Sequence, residues 1–481
     1  MRVRKSTAVF LMLAPIAFAL SLLSANAILT CAVLVTAVVL AVILYRPGEP
    51  PVLLFAAGMQ WLQVSAKVLQ ADIKGVPVAD LQFYFGDLSG TIIVALIGVV
   101  CLALGMRFGI GKLRVPPNQA YAEAEMIPIS RVWRLYLLSV ALSLLLTGIV
   151  PRGSGLFQIA MAILSVKWAF LFLLVFTVMA RSKGYAYLTL AVLLELGIGF
   201  GGFFSDFKTV FYIVLIAAMT TRLRISVALG IALGAFAGLL LVMSIIWSAI
   251  KVDYRDYVNE GSGQQVVSVP YSERMTYLFD KVVSIDSAQM DEGTDALFER
   301  VAYVDFLTAV RDYVPASEPH TNGVRVGAAL MHVFTPRLFF PSKPPTESDS
   351  DVTHQFTGLF VMGQSQGTSI SIGYFAECYV DFGPYLMYLP IFGLGFLAGR
   401  MYRFVLTRER NLLLTRFGLA VMVLFGLGSF ETALIKLFGS LVTTFLAAWV
   451  ISHFFARRLE QGYLMAGGSV SPSPPGHGGR A

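Results

Sequence analysis

Apolar residues dominate long stretches of this chain and are interrupted mainly by short polar, glycine- or proline-containing segments. Runs of about 18 to 20 apolar residues recur, the length that an α-helix needs to cross a hydrocarbon core of roughly 30 Å. These runs predict twelve membrane-spanning helices, at 7–24, 26–45, 50–68, 89–107, 132–150, 156–180, 185–203, 207–221, 225–248, 383–405, 414–431 and 438–455. The expected fold class is an all-α polytopic membrane protein.

Basic residues concentrate in alternate connections between the predicted spans, which indicates the cytoplasmic side. They are Arg2, Arg4, Lys5, Arg46, Arg107, Lys112, Arg114, Arg131, Arg134, Arg181, Lys183, Arg222, Arg224, Arg400, Arg403, Arg408, Arg410, Arg416, Arg457 and Arg458. This asymmetry places both termini in the cytoplasm. It also accounts for the net charge of +7, so nucleic acid is not expected as a partner.

The composition agrees with a membrane protein, because 57% of the residues are apolar and only 14% are charged. A soluble domain would carry nearer a quarter charged residues. The first 27 residues have two interpretations, an uncleaved first span or a signal peptide whose cleavage site is Ser24-Ala25-Asn26-Ala27. We expect the uncleaved span, and the orientation of the later spans is the same in both cases.

The predicted spans divide the chain into four parts. Residues 1–249 hold the first nine spans, 250–382 form an extracytoplasmic loop, 383–456 hold the last three spans, and 457–481 form a cytoplasmic tail. From Lys251 to Asp351 the loop has nine Lys and Arg against sixteen Asp and Glu, so it is acidic in a basic protein. A loop of this length is usually functional. The tail from Gly467 is rich in Gly, Ser and Pro and is expected to be disordered.

One helix is predicted inside the loop, beginning after Thr294-Asp295, continuing through Val310 and ending before Pro315. Helical spacing would place Arg300 and Arg311 on nearly one face of it. Two interpretations stay open: the arginine stems cover apolar surface, or this face binds phosphate.

A proline-rich stretch follows, in which Pro336, Pro341, Pro344 and Pro345 flank Arg337 and Lys343. Prolines stiffen the backbone and could hold these two cations in place. The acidic pair Asp349 and Asp351 could bind a divalent cation, but two carboxylates in a solvated loop are weak support, and we predict no metal.

Several ionisable residues lie near the predicted outer ends of spans, where such residues often mark function. They are Glu195, Asp206, Lys208, Glu377, Asp381, Glu431 and Lys436. Neutralisation within the pairs Glu431–Lys436 and Asp206–Lys208 is the structural alternative. Glu195 has no evident partner in the sequence.

The chemistry that fits is transfer of a sugar from a polyprenyl diphosphate at the outer interface. The chain has no P-loop and no dinucleotide-binding fingerprint. Guanidinium groups bind phosphate oxygens bidentately, and glycosyl transfer also needs a base for the attacking hydroxyl. The predicted diphosphate ligands are Arg337 and Lys343, then Arg311, Arg325 and Lys208; the predicted base is His354, ahead of Glu377.

Two stretches carry a resemblance to a known family: Tyr374-Phe-Ala-Glu377-Cys-Tyr-Val-Asp381-Phe-Gly383 before a glycine-rich span, and Thr335-Pro-Arg337-Leu-Phe-Phe-Pro-Ser-Lys343-Pro. With the layout of spans around one long outer loop, they resemble the oligosaccharide repeat unit polymerases (O-antigen polymerases, Wzy-type). The chain departs from that pattern at Lys208, where related proteins often have arginine.

The resemblance implies a bacterial inner-membrane enzyme that joins undecaprenyl-diphosphate-linked repeat units into a surface polysaccharide at the outer face, without a cofactor. Its expected partners are the lipid-linked oligosaccharide, membrane lipid, and a chain-length regulator and flippase of the same pathway. Two alternatives stay open, a ligase that moves finished glycan to another acceptor and a polysaccharide transporter or flippase. Inverted repeats or helices broken at mid-membrane would favour transport, and the sequence shows neither.

Overall fold

The computed structural model describes residues 15, 18–19, 21–82, 84–116, 118–150, 157–200, 208–221, 227–262, 267–336, 339–340, 342–343, 346–361 and 369–464. All regular secondary structure within them is helical. The predicted first span, 7–24, lies mostly outside the described residues, as does the tail from 467 onwards.

We number the α-helices in chain order. They are α1 Ala27–Leu44, α2 Val52–Lys74, α3 Leu88–Ile110, α4 Gln119–Met126, α5 Ile129–Ile149, α6 Phe157–Leu164, α7 Val166–Arg181, α8 Tyr185–Phe200, α9 Lys208–Thr220, α10 Val227–Val258, α11 Tyr271–Val283, α12 Ser287–Val301, α13 Val304–Tyr313, α14 Val324–Phe334, α15 Asp349–Thr357, α16 Tyr374–Leu386, α17 Tyr388–Leu406, α18 Leu413–Leu424, α19 Leu434–Val450 and α20 Ala456–Leu459. Single 3-10 turns occur at Val78–Leu81 and Phe425–Gly428, and π-turns flank α20.

Seven helices in the described part of the chain are long and apolar enough to cross a membrane. They are Ala27–Leu44, Val52–Lys74, Leu88–Ile110, Ile129–Ile149, Gln158–Arg181, Tyr388–Leu406 and Leu434–Leu464. Shorter apolar helices, including α9 and the segment Leu413–Gly428, lie where further spans were predicted. The described part of the chain therefore has the architecture of an all-helical membrane protein. The number of twelve spans stays a prediction.

The predicted single helix from Thr294 to Val310 is wrong, because two helices occupy this segment. α12 begins at a capping box in which Asp286 and Gln289 bond each other's backbone N–H groups, and it ends at Val301. The chain then turns at Ala302, and α13 begins at Val304. The turn lets Val304 and Leu307 of α13 become fully buried. Arg300 and Arg311 consequently lie on different helices and share no face.

Glycine residues define the contact between α3 and α17. A methyl group at Gly395 would lie 2.2 Å from the carbonyl oxygen of Leu102, and one at Gly399 would lie 2.2 Å from that of Met106. Gly105 and Gly109 meet the backbone of α17 equally closely. Small residues four apart on both helices let two backbones approach within a membrane. This contact joins the segments on either side of the long loop.

The glycine contact predicts that Gly395→Ala lowers the stability of the folded protein by about 1 to 3 kcal/mol or more, because the added methyl group meets backbone that cannot rotate away. Gly393→Ala, two residues earlier on α17, is the matched control, since a methyl group there meets no described atom within 4 Å. Thermal unfolding of both variants in detergent measures the difference. Equal melting temperatures for the two variants would contradict the close packing.

Candidate functional site

A stripe of polar side chains runs along the membrane-spanning helix α2. Its members, at intervals of three and four residues, are Gln60, Gln63, Lys67, Gln70 and Lys74. This spacing places them on one face of a helix. The first four are buried, with exposed fractions of 9% or less. Buried polar groups need partners, so the contacts of this stripe determine what packs against α2.

The carboxyl-terminal half of the stripe contacts the helices of the long loop. The ammonium group of Lys67 lies 3.2 Å from a carboxylate oxygen of Asp305 on α13 and donates to the carbonyl of Leu81. Gln70 and Lys74 both contact Asp295 on α12, at 3.1 and 2.6 Å. The loop is thereby fixed on a membrane span by charge.

The amino-terminal half of the stripe contacts the start of α16 and the turn that precedes α19. Gln60 donates to the carbonyl of Leu427 at 2.7 Å and accepts a hydrogen bond from the hydroxyl of Tyr374, the first residue of α16. Gln63 donates to Glu431 and accepts from the backbone N–H of Phe430. The same face of α2 therefore positions α16 and the turn that precedes α19.

The carboxylate of Asp381, on α16, caps the amino-terminal end of α14. It accepts hydrogen bonds from the backbone N–H groups of Arg325 and Val326, at 3.0 and 2.7 Å, and from the hydroxyl of Thr321. An anion is favoured at this end of a helix, where N–H groups have no intrahelical partner. Asp381 is 1% exposed. It fixes the backbone of Arg325 against α16.

The guanidinium group of Arg325 reaches two carboxylates. One nitrogen lies 2.7 Å from Glu347, which is half exposed, and the other lies 3.8 Å from the buried Glu377. The guanidinium also packs over the ring of Phe356. Its Nε atom is buried and has no hydrogen-bond partner among the described residues. Arg325 is thus held between a half-exposed and a buried carboxylate.

Glu377 is 2% exposed and lies in the first turn of α16, before the span α17. One of its oxygens accepts a hydrogen bond from the backbone N–H of Leu434, at the start of α19. Burial raises the pKa of this carboxyl to about 7, although the charge of Arg325 opposes the shift. Asp349 and Asp381 are close enough to add a small rise. A carboxyl group that titrates near neutrality can exchange protons with a substrate.

Further charged groups surround this pair. The carboxylate of Asp349 accepts from the ammonium of Lys436 and from the hydroxyl of Ser369. Sequence reasoning paired Lys436 with Glu431, but Glu431 instead accepts from Gln63. We call Arg325, Glu347, Asp349, Glu377, Asp381 and Lys436 the outer cluster; it lies where α14, α15, α16 and α19 meet.

The structure brings two of the seven predicted site residues together, Arg325 and Glu377. His354 lies on the exposed face of α15, where its ring nitrogen contacts the carbonyl of Leu359. Lys343 caps the carboxyl-terminal end of α14, donating to the carbonyls of His332 and Thr335, 3.0 Å from each.

Of the other three predicted ligands, two lie elsewhere in the described part of the chain. Arg311 donates to the hydroxyl of Thr91 at the start of α3. Lys208 lines an apolar cavity beside α12. Arg337, the first-ranked ligand, lies outside the described residues, as does Asp206.

Sequence reasoning missed the polar stripe of α2 and the partners of Glu195. The stripe could have been recognised in the sequence, because its polar residues recur at intervals of three and four inside an apolar helix. Glu195 is paired with Lys167 at 2.8 Å and accepts from the hydroxyl of Tyr136. Those partners lie on α7 and α5, far from Glu195 in the sequence, so no local sequence pattern indicates the contacts.

A family described as a domain of unknown function (DUF8712) matches residues 93–425. The match covers more than half of the 481 residues, so the chain belongs to this family. The matched range includes Arg325 and Glu377 and ends before Lys436. No curated protein and no solved structure matches the chain.

The pair between Lys67 and Asp305 predicts a pH-dependent loss of stability when the lysine is removed. The two side chains are only 3% and 9% exposed, and breaking a buried ion pair costs about 3 to 5 kcal/mol. Lys67→Met should cost this much at pH 8 and less at pH 5. The reason is that burial already raises the pKa of Asp305 to about 6, so acid neutralises the stranded carboxylate.

Unfolding free energies in detergent at both pH values measure this effect. Lys74→Met is the matched control, because its pair with Asp295 is 40% and 45% exposed and is worth at most about 1 kcal/mol. Replacing both partners, with Lys67→Met and Asp305→Leu together, should restore most of the lost stability. A loss for Lys67→Met as small as that of the control would refute a buried pair.

Proposed function

We propose that this protein is a membrane glycosyltransferase that polymerises undecaprenyl-diphosphate-linked repeat units into a surface polysaccharide at the outer face of the bacterial inner membrane. The single observation that supports it most is the contact between Arg325 and Glu377. A permanent cation that is partly exposed stands beside a carboxyl group whose pKa is about 7. Transfer from a diphosphate needs one group of each kind.

Arg325 binds the departing diphosphate in this proposal. The bond from the anomeric carbon to the phosphate oxygen breaks, and the electron pair leaves with the diphosphate, whose growing negative charge the guanidinium stabilises. Arg325 is suited to this because its planar group donates two parallel hydrogen bonds to phosphate oxygens. Its side chain is 16% exposed, so it is the member of the pair that an incoming ligand can reach.

Glu377 takes the proton of the attacking sugar hydroxyl in the same proposal. The hydroxyl oxygen forms the new bond to the anomeric carbon, and its proton passes to the carboxylate. A base is most useful when its pKa lies near the working pH. Approach of the diphosphate to Arg325 would weaken the ion pair between Arg325 and Glu377. The carboxylate of Glu377 would then be able to turn toward the attacking hydroxyl of the acceptor sugar.

Two of the remaining predicted ligands have separate roles in this proposal. Arg337 stays a predicted diphosphate ligand, and Lys343 orders the end of α14 that leads into its loop. A ligase that uses the same carrier would need the same two groups. Lipid-linked glycans of a deletion strain separate the two activities: a missing polymerase leaves single repeat units on the carrier, whereas a missing ligase leaves long polymer on it.

Variants of the pair test the proposal in that deletion strain. Glu377→Gln should lower polymer synthesis by about 100-fold or more, within the usual range for loss of an acid–base group. Arg325→Lys should lower it by at least about tenfold, since lysine keeps the charge and loses the bidentate geometry. Glu347→Gln is the control, because this half-exposed partner of Arg325 has no assigned chemical role and should cost less than about threefold. Full polymer length with Glu377→Gln would refute the assignment of the base.

The rate should also depend on pH. The carboxyl of Glu377 must be ionised to accept a proton, and its pKa is about 7, so polymerisation by the purified, reconstituted enzyme should rise as the pH increases through 7. Below pH 7, each decrease of one pH unit should lower kcat about tenfold, because the ionised fraction of Glu377 falls by that factor. A rate that is constant from pH 5.5 to pH 8 would contradict a base with this pKa.

A further inference from the structure

An apolar cavity of about 240 Å³ lies between α2, α9, α10 and α12, and no residue of the outer cluster lines it. The apolar part of its wall includes Leu62 and Ala66 from α2, Phe211 from α9, Leu241 from α10, and Leu297 and Val301 from α12. Helix α2 is long and apolar enough to span the membrane, and α9 is one of the shorter apolar helices. The cavity is therefore of the kind that accepts a hydrocarbon chain.

Cationic side chains accompany this apolar wall. Lys208, at the start of α9, lines the cavity itself. Lys251 and Arg255 on α10 and Arg300 on α12 lie close enough together that both arginines repel the charge of Lys251, while the carboxylate of Glu299 attracts it more weakly. Neither Lys251 nor Arg300 has a carboxylate within 4 Å among the described residues. Like charges that converge in this way favour an anion between them.

The cavity and the cations share one side of α10. Leu241, Ser244, Ser248, Lys251 and Arg255 follow one another at intervals of three and four residues, which places them within an arc of about 80° on the helix. Lys251 lies about 10 Å along the axis from Ser244, a residue of the cavity wall. On α12, Arg300 is three residues from Leu297 and adjacent to Val301. On both α10 and α12, the cationic residues therefore lie near residues of the apolar wall.

We propose that this surface binds a lipid with an anionic phosphate head group, with one hydrocarbon chain in the cavity and the phosphate held by Lys251 and Arg300. A soluble anion would leave the apolar wall unused, and a neutral lipid would leave the repulsion between Lys251 and Arg300 in place. An amphiphilic anion satisfies both parts. The site contains no residue of the outer cluster, so it does not depend on the proposed function.

The probe that tests this is phosphatidic acid with a diazirine on one acyl chain, and the matched probe is the diacylglycerol with the same label and no phosphate. The full chain is reconstituted in phosphatidylcholine nanodiscs with each probe, irradiated and mapped by peptide mass spectrometry. We expect phosphatidic acid to label residues of the cavity wall about tenfold more than diacylglycerol does. Ala66→Trp, which fills the cavity, should abolish this labelling.

Charge variants separate the phosphate contact from the fit of the chain. Lys251→Gln combined with Arg300→Gln should lower phosphatidic acid labelling about tenfold and leave diacylglycerol labelling unchanged. Lys251→Arg with Arg300→Lys keeps the charge and should keep the labelling. Lys281→Gln is the control. It removes a cation on α11 that is already paired with Asp253, a residue of α10.

Three results would overturn the proposal. Equal labelling by the two probes would show that the phosphate makes no contribution. Labelling spread over all the spans, without enrichment at the cavity wall, would show that no site exists. Displacement of the probe by 10 mM inorganic phosphate would assign the cations to a soluble anion. Polymer synthesis is not read out in any of these experiments, so their outcome is independent of the enzyme assignment.

Discussion

The buried contact between Lys67 and Asp305 is the constraint on which the packing of the long loop against α2 depends. A lysine inside a membrane-spanning helix is costly unless an anion meets it, and here the anion comes from a helix of the long loop. The contact fixes α13 against α2, and α13 then follows the turn whose Tyr303 donates to the carbonyl of Ser371. That carbonyl lies three residues before the start of α16, which carries Glu377. An ion pair on the candidate membrane span α2 thus contributes to the position of the carboxyl group of Glu377.

The same logic explains the properties of the outer cluster. Five of its six members come from four helices, and two of the carboxylates are held by backbone N–H groups: Asp381 caps α14, and Glu377 accepts from the first N–H group of α19. Two opposing effects act on Glu377, burial that favours the neutral acid and Arg325 that favours the anion, and burial is the larger. A change at Arg325, such as the arrival of an anionic ligand, therefore acts directly on the proton affinity of its neighbour.

The parts of the fold that depend on apolar length could be predicted from the sequence, and α1, α2 and α3 begin within two residues of the predicted positions. The break between α12 and α13 could not, because it is set by which side chains α13 buries against other helices. Among site residues, Arg325 and Glu377 were candidates by type, but no spacing indicated that they meet, since 52 positions separate them. His354 was preferred for its chemistry, and its exposure on α15 is a property of packing alone.

Infrared titration of the Glu377 carboxyl tests the central claim most directly, because the C=O band of the protonated acid, identified by its loss in Glu377→Gln, reports the proton itself. The coupling of burial and Arg325 predicts that the band disappears with a midpoint near pH 7 and that Arg325→Gln moves this midpoint to higher pH. A midpoint near the ordinary glutamate value of 4.5, or the same midpoint in wild type and Arg325→Gln, would contradict a buried carboxyl group held against this arginine.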